Sequence, residues 1–217
     1  MTAAEWDACT DPDEMQRLVE TRGRASDRKK RLLTVAYCRC VWHLLKAGRG
    51  RDAVETAERA ADRLATGAEM AEALLVAEAA LRESSVQWKG KSAFQASLMA
   101  RDAATPGAAV VPNRVPLDRR RVRVALLRCI FGNPFRQPPL LSQSVLAWED
   151  GTVRRLAEEV SANRALPSGE LDRNRLAVLA DALEDAGCSD AELLMHLRGP
   201  GPHYRGCFAV DAVLGHK

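Results

Sequence analysis

The sequence predicts an all-α protein, an irregular or orthogonal bundle of eight to ten helices around a buried central helix. Apolar residues recur at helical spacing along nearly all 217 positions, and helix-start and helix-stop signals bracket the periodic stretches. No stretch alternates apolar and polar residues as a half-buried strand would. With 47% hydrophobic and 28% charged residues, the chain is composed like a globular domain with a core of its own.

The first start signal is Asp11-Pro12 with Glu14: a capping carboxylate, a proline whose missing N–H costs nothing there, and an acid three residues on. It opens a helix to about Glu20. Ser26 caps a segment predicted to run to about Lys46, in which Leu32, Leu33, Val35, Ala36, Cys38, Val41, Trp42 and Leu45 fall on every side of the wheel. A helix apolar all round is a buried one. Arg39 and His43 are polar positions of that helix, expected to bond to acidic neighbours.

Val54, Ala57, Ala61 and Leu64, then Met70, Leu74, Ala77 and Leu81, mark two amphipathic helices, and a weaker one covers 92–104. Three prolines and a glycine in 105–116 cannot continue it. Residues 117–131 form a basic helix, 132–139 an irregular loop, and Val153, Leu156, Ala157 and Val160 a helix expected to be capped by Asp150. Leu176, Leu179, Ala180 and Leu183 mark a helix that ends at Gly187, and Ser189 with Glu192 reads as a capping box for a helix to Arg198. Cys207 to Leu214 is the last apolar element. We read 1–217 as one domain, the alternative being two lobes, 1–104 and 117–217, joined by a linker at 105–116.

The net charge of +3 hides alternating blocks: −5 over residues 1–21, +9 over 22–51, −5 over 52–85 and +6 over 113–136. Such blocks suit neighbouring helices with complementary surfaces. No apolar run reaches the ~18–20 residues of a membrane span, and residues 1–11 have neither the basic start nor the apolar core of a secretion signal. The expectation is a cytoplasmic protein with reduced cysteines and no membrane partner.

The densest chemistry is C-terminal: Cys188, His196, His203 and Cys207 form a Cys2His2 set, the ligand set of tetrahedral zinc. The tight Cys-x2-Cys knuckle is missing, so the four would have to converge by tertiary folding, and buried core thiols are the competing reading. A thiol nucleophile, Cys207 or Cys188 with a histidine and Asp211 as orienting acid, is a further alternative, although Asp211 reads better as the solvent-facing residue of a short helix. Cys38 and Cys40 lie about 200° apart on a helix and cannot face one ion, whereas Cys40 and His43 can; core packing is the favoured reading there too. Arginines at 22–31 and 114–128 suggest a phosphate-binding face, but aromatics make up only 5% of the chain, few for stacking on bases. Intramolecular pairing is the stronger reading. Asp181 and Asp185 read as solubility charges. There is no phosphate loop, dinucleotide glycine pattern, HExxH or GxSxG.

The chain resembles an uncharacterised, multi-copy family of bacterial helical proteins. The resemblance is carried by WDACTDP at 6–12, ASDRK at 25–29 leading into the Cys38/Cys40/Trp42 helix, FGNPFR at 131–136, WEDGTV at 148–153, and the tail from LADALEDAGC at 179–188 to HYRGC at 203–207. It leaves out roughly 50–115 and implies no activity. LAVLADALEDAG at 176–187 is also similar to a short repeat-companion domain of large bacterial genomes, with Ala182 where that domain carries tryptophan; that likeness favours an interaction role. The expected function is a non-enzymatic interaction or scaffold module with a protein partner. Zinc or thiol chemistry at the C-terminal cluster and nucleic-acid binding through the arginines are the alternatives.

Overall fold

A computed structural model describes residues 1–23, 25–45, 48–86, 91–107 and 120–216, with side chains omitted at 84–86 and 91. Eleven α-helices and one 3-10 turn make up the fold among these residues, with no strand beyond two isolated bridges. None of these helices is long and apolar enough to cross a membrane. The chain divides into two compact units, 25–120 and 1–24 with 121–217. Most of the expected linker, from 108 to 116, lies outside the described residues, as do Lys46, Arg114 and Arg119.

The unit over 25–120 holds α3 (Asp27–Cys40), α4 (Arg49–Ala61), α5 (Gly67–Val86) and α6 (Lys91–Ala104). Ser26 caps α3 as expected, accepting from the Lys29 N–H at 3.3 Å, and residues 32–39 are all buried. The predicted run to residue 46 stops early: α3 ends at Cys40, and Trp42–Leu44 is a 3-10 turn. Arg51 braces the turn that follows: its guanidinium bonds the carbonyls of Leu45 and Trp42 at 3.2 and 3.3 Å and stands 5.5 Å from the Trp42 ring, on whose face Arg39 also lies. The Trp42 carbonyl also accepts the Leu45 N–H at 3.2 Å.

The charge blocks pair as their signs require. Arg39 and Glu58, each 2% exposed at the side chain, form a buried ion pair; Arg28 meets Asp62 at 2.6 Å and Arg49 meets Glu83. Arg31 donates to the Ala103 carbonyl at 2.7 Å.

The other unit begins with α1 (Ala3–Ala8), which the sequence reading left out. Thr2 and Glu5 form a reciprocal capping box, and Trp6 is fully buried. α2 (Pro12–Thr21) starts on the Asp11 cap as predicted. α7 (Arg120–Phe131) carries the second basic block into this N-terminal segment: Arg123 pairs with Asp13, and Arg128 donates to the carbonyls of Trp6, Asp7 and Cys9 at 3.1, 2.6 and 2.8 Å. Arg136 reaches Asp7 at 2.6 Å and Glu192 at 2.9 Å, and Arg22 stacks on Phe135 at 4.0 Å.

α8 (Gln143–Ala162), α9 (Arg173–Asp185), α10 (Ala191–Arg198) and α11 (Phe208–Leu214) enclose a core that includes Val153, Leu176, Leu179, Leu183, Leu193 and Val210. α8 is broken at 148–151, where Glu149, Asp150 and Gly151 have φ of 44, 55 and 81°. Asp150 therefore sits in a left-handed turn, not in the extended conformation of a cap. The cap of α10 is Asp190, one residue beyond the expected Ser189, and it accepts from the Leu193 N–H at 3.0 Å.

Candidate metal centre

Cys129 of α7, the half-buried His196 of α10, His203 of the loop that follows it and Cys207 just before α11 gather in one group, the other three buried. One ligand atom from each lies within 4.8 Å of those of all the others. All four residues belong to the same compact unit.

Each is placed by local structure. The last turn of α7 carries Cys129 on the face that buries Leu126 and Ile130. Gly132 then turns the chain at φ 64°, and a Cβ there would meet the Phe208 ring at 3.1 Å, so this end of α7 is packed directly on the first residue of α11. His196 is flanked by Phe208 at 4.5 Å between centroids and by His203 edge-on at 4.7 Å. The His203–Tyr204 segment is anchored to 165–171: Leu171 N–H donates to the His203 carbonyl at 2.8 Å, Tyr204 bridges Glu170, and its hydroxyl bonds the Glu170 carboxylate at 3.2 Å. Gly201 approaches His203 so closely that a Cβ would stand 3.0 Å from its Cδ2.

The polar contacts have the form of a ligand set with its supports. His203 Nε2–H donates to the Gly199 carbonyl at 3.3 Å, which leaves the buried Nδ1 as the ring nitrogen available to an ion. Metal-bound histidines characteristically donate the second ring N–H to a carbonyl or carboxylate in this way. Cys129 Sγ accepts the Tyr204 N–H at 3.4 Å, and Cys207 Sγ lies 3.3 Å from His196 Nε2. The edges of a tetrahedron with zinc–sulfur and zinc–nitrogen bonds of ordinary length are about 3.3–3.8 Å. The His196–Cys207 edge has that length, and a contraction of about 1 Å would bring the loosest edges to it.

The electrostatics agree. Burial pushes the Cys207 thiol up, but a hydrogen bond from Cys129, the charge of His196 and hydrogen bonds from both imidazoles outweigh it and hold Cys207 well below the ordinary thiol range. Burial opposes charge on His203 too, yet its hydrogen bond with Cys207, the Cys207 charge and the Gly199 carbonyl raise it above the usual imidazole value.

The structure thus brings together three of the four expected ligands, His196, His203 and Cys207. Cys188 is not in the group: it lies in the turn after α9, its N–H bonded to the Leu183 carbonyl at 2.9 Å and its side chain in the apolar core. Cys129 stands in its place. No local spacing points to Cys129, because the contact is made only when α7 packs on α11.

Asp211 differs from expectation. It is 3% exposed, not solvent-facing, and lies 3.6 Å from His216 Nδ1, brought back by the left-handed turn at Gly215. Cys38 is fully buried, and burial pushes its thiol far up; His43 is exposed. Neither joins a group of metal-ligating side chains among the described residues. The exposed Asp181 is not a free solubility charge, since it pairs with Arg198 at 2.6 Å. Compared with protein-family models, with curated proteins and with solved structures, the chain shows no match.

Proposed function

We propose that the protein is a metal-stabilised helical module in which one zinc ion, held by Cys129, His196, His203 and Cys207, ties α7 to the α10–α11 end of its unit. The observation that carries the reading is the convergence of two sulfurs and two imidazoles, one ligand atom from each within 4.8 Å of the others, inside one compact unit. A soft S2N2 donor set with little solvent access suits zinc. Four protein ligands leave no open position for substrate, which supports a structural ion.

This reading keeps the non-enzymatic interaction or scaffold role, with a protein partner, and gives it a metal centre. Nucleic-acid binding has less support, because Arg28, Arg31, Arg39, Arg123, Arg128 and Arg136 are engaged by carboxylates and carbonyls of the chain itself. No described cysteine is in a disulfide, which supports a reducing compartment such as the cytoplasm.

The test is elemental analysis of untagged protein. Wild type and Cys188→Ser should carry about one zinc per chain, and Cys129→Ser and His203→Ala should lose it. Metal-free wild type, or full retention in Cys129→Ser, overturns the reading.

A further inference from the structure

The two sulfurs of the centre are placed by separate elements, Cys129 within α7 and Cys207 at the residue that precedes α11, and meet within 4.8 Å. Each sulfur can be shared with the ion or bonded to the other sulfur, but not both. We propose that the centre is a redox-operated latch: a hydroperoxide converts the Cys129–Cys207 pair to a disulfide and expels the zinc ion, and a dithiol reductant restores the binding pair. The proposal rests on the zinc reading above.

The chemistry closes. One cysteine sulfur attacks a peroxide oxygen; the O–O bond breaks, an S–OH forms and hydroxide leaves, taking up a proton as water. The second sulfur attacks that sulfenic sulfur; the S–S bond forms, the S–O bond breaks and a second water is released. The pair loses two electrons, the hydroperoxide gains them, and zinc leaves as the divalent cation with its charge unchanged. A dithiol returns both electrons by exchange through a mixed disulfide.

Three features favour this outcome over oxidation of one sulfur alone. The partner sulfur is already in place, so a sulfenic acid at either position meets a resolving thiol before a second oxidant. The closure needed, from within 4.8 Å to the ~2.05 Å of a disulfide, is a local movement about the start of α11. The loss is also decisive for the ion, because His196 and His203 alone make a two-ligand site. Cys129 and Cys207 are 1% and 0% exposed, so the oxidant reaches them through local opening. α11 is only seven residues long, and so short an element opens at lower free energy than the core.

The test uses the full chain loaded with zinc and treated with hydrogen peroxide, with a zinc-binding dye to follow release and peptide mass mapping without reduction to locate the disulfide. The expected result is one zinc released per disulfide formed, the cross-link joining Cys129 to Cys207, full recovery with dithiothreitol and added zinc, and the same behaviour in Cys188→Ser. Retention of zinc under peroxide, release with sulfinic acid at a single cysteine, or a cross-link to another cysteine overturns the latch and leaves the zinc reading standing. A chain that never loads zinc overturns both, even if the disulfide forms.

Discussion

Gly201→Ala tests whether the His203 loop is held as tightly as the geometry indicates. Gly201 has φ +74°, and an added Cβ would stand 3.0 Å from His203 Cδ2 and 3.1 Å from the His203 backbone nitrogen. Gly215, in the same unit at φ +71°, has nothing within 4 Å of the position a Cβ would take. The two substitutions share the conformational cost, about 1–2 kcal/mol for a left-handed alanine, less the ~0.4–1 kcal/mol returned by a less flexible unfolded chain. Only Gly201→Ala adds a steric cost. The backbone it strikes cannot easily retreat, because the His203 carbonyl is held by Leu171. Overpacking of this kind costs about 1–3 kcal/mol. Gly215→Ala should therefore lose about 1 kcal/mol and Gly201→Ala about 2–4 kcal/mol in urea unfolding with chelator present. Zinc affinity, by chelator competition, should fall roughly 10-fold or more in Gly201→Ala alone, since His203 must shift. Equal unfolding free energies for the two variants would refute the close approach.

Three further outcomes follow from contacts already described. Arg39→Met should destabilise the protein by about 3–5 kcal/mol by stranding the Glu58 charge, and adding Glu58→Leu should recover most of it; chemical denaturation of the singles and the double decides. Arg128→Ala removes the donor to three carbonyls and should cost about 2–3 kcal/mol, with hydrogen exchange at 3–9 rising far more than at 27–40 if α1 depends on that guanidinium. In metal-free protein the lowered Cys207 thiol should keep its thiolate absorbance as pH falls below the ordinary thiol range. Because the folded value is the depressed one, the stability this group contributes is present at alkaline pH and lost as pH falls through the folded value; a Cys207→Ser variant with the same titration would count against it.

The all-α class and most helix starts were legible in the sequence because their causes are local. Asp11-Pro12 and Ser26 cap where capping chemistry says they should. The misses have tertiary causes. The turn into which α3 gives way after Cys40 is braced by Arg51 from the next helix, and the six residues of α1, capped locally by Thr2 and Glu5 but too short to stand alone, are supported by Arg128 and the burial of Trp6. At the site, one C-terminal tract supplied His196, His203 and Cys207, and their proximity in sequence is what made them visible. Cys129 looked like any small apolar residue on the inner face of α7, and Asp211 like a surface charge, until packing chose their neighbours.

The unit that carries the cluster is discontinuous, formed by 1–24 together with 121–217. During synthesis, Trp6 and Asp7 leave the ribosome long before Arg128 and Arg136 exist to receive them. At about 5–20 residues per second, the ~120 residues between imply a wait of roughly 6–24 s. Over that interval the 25–120 unit can fold completely, whereas the N-terminal segment stays unclaimed and the Cys129 thiol, once made, must still await Cys207. The four side chains of the cluster thus come together only after the 25–120 unit has had time to fold, and a chain halted before Cys207 carries no complete set.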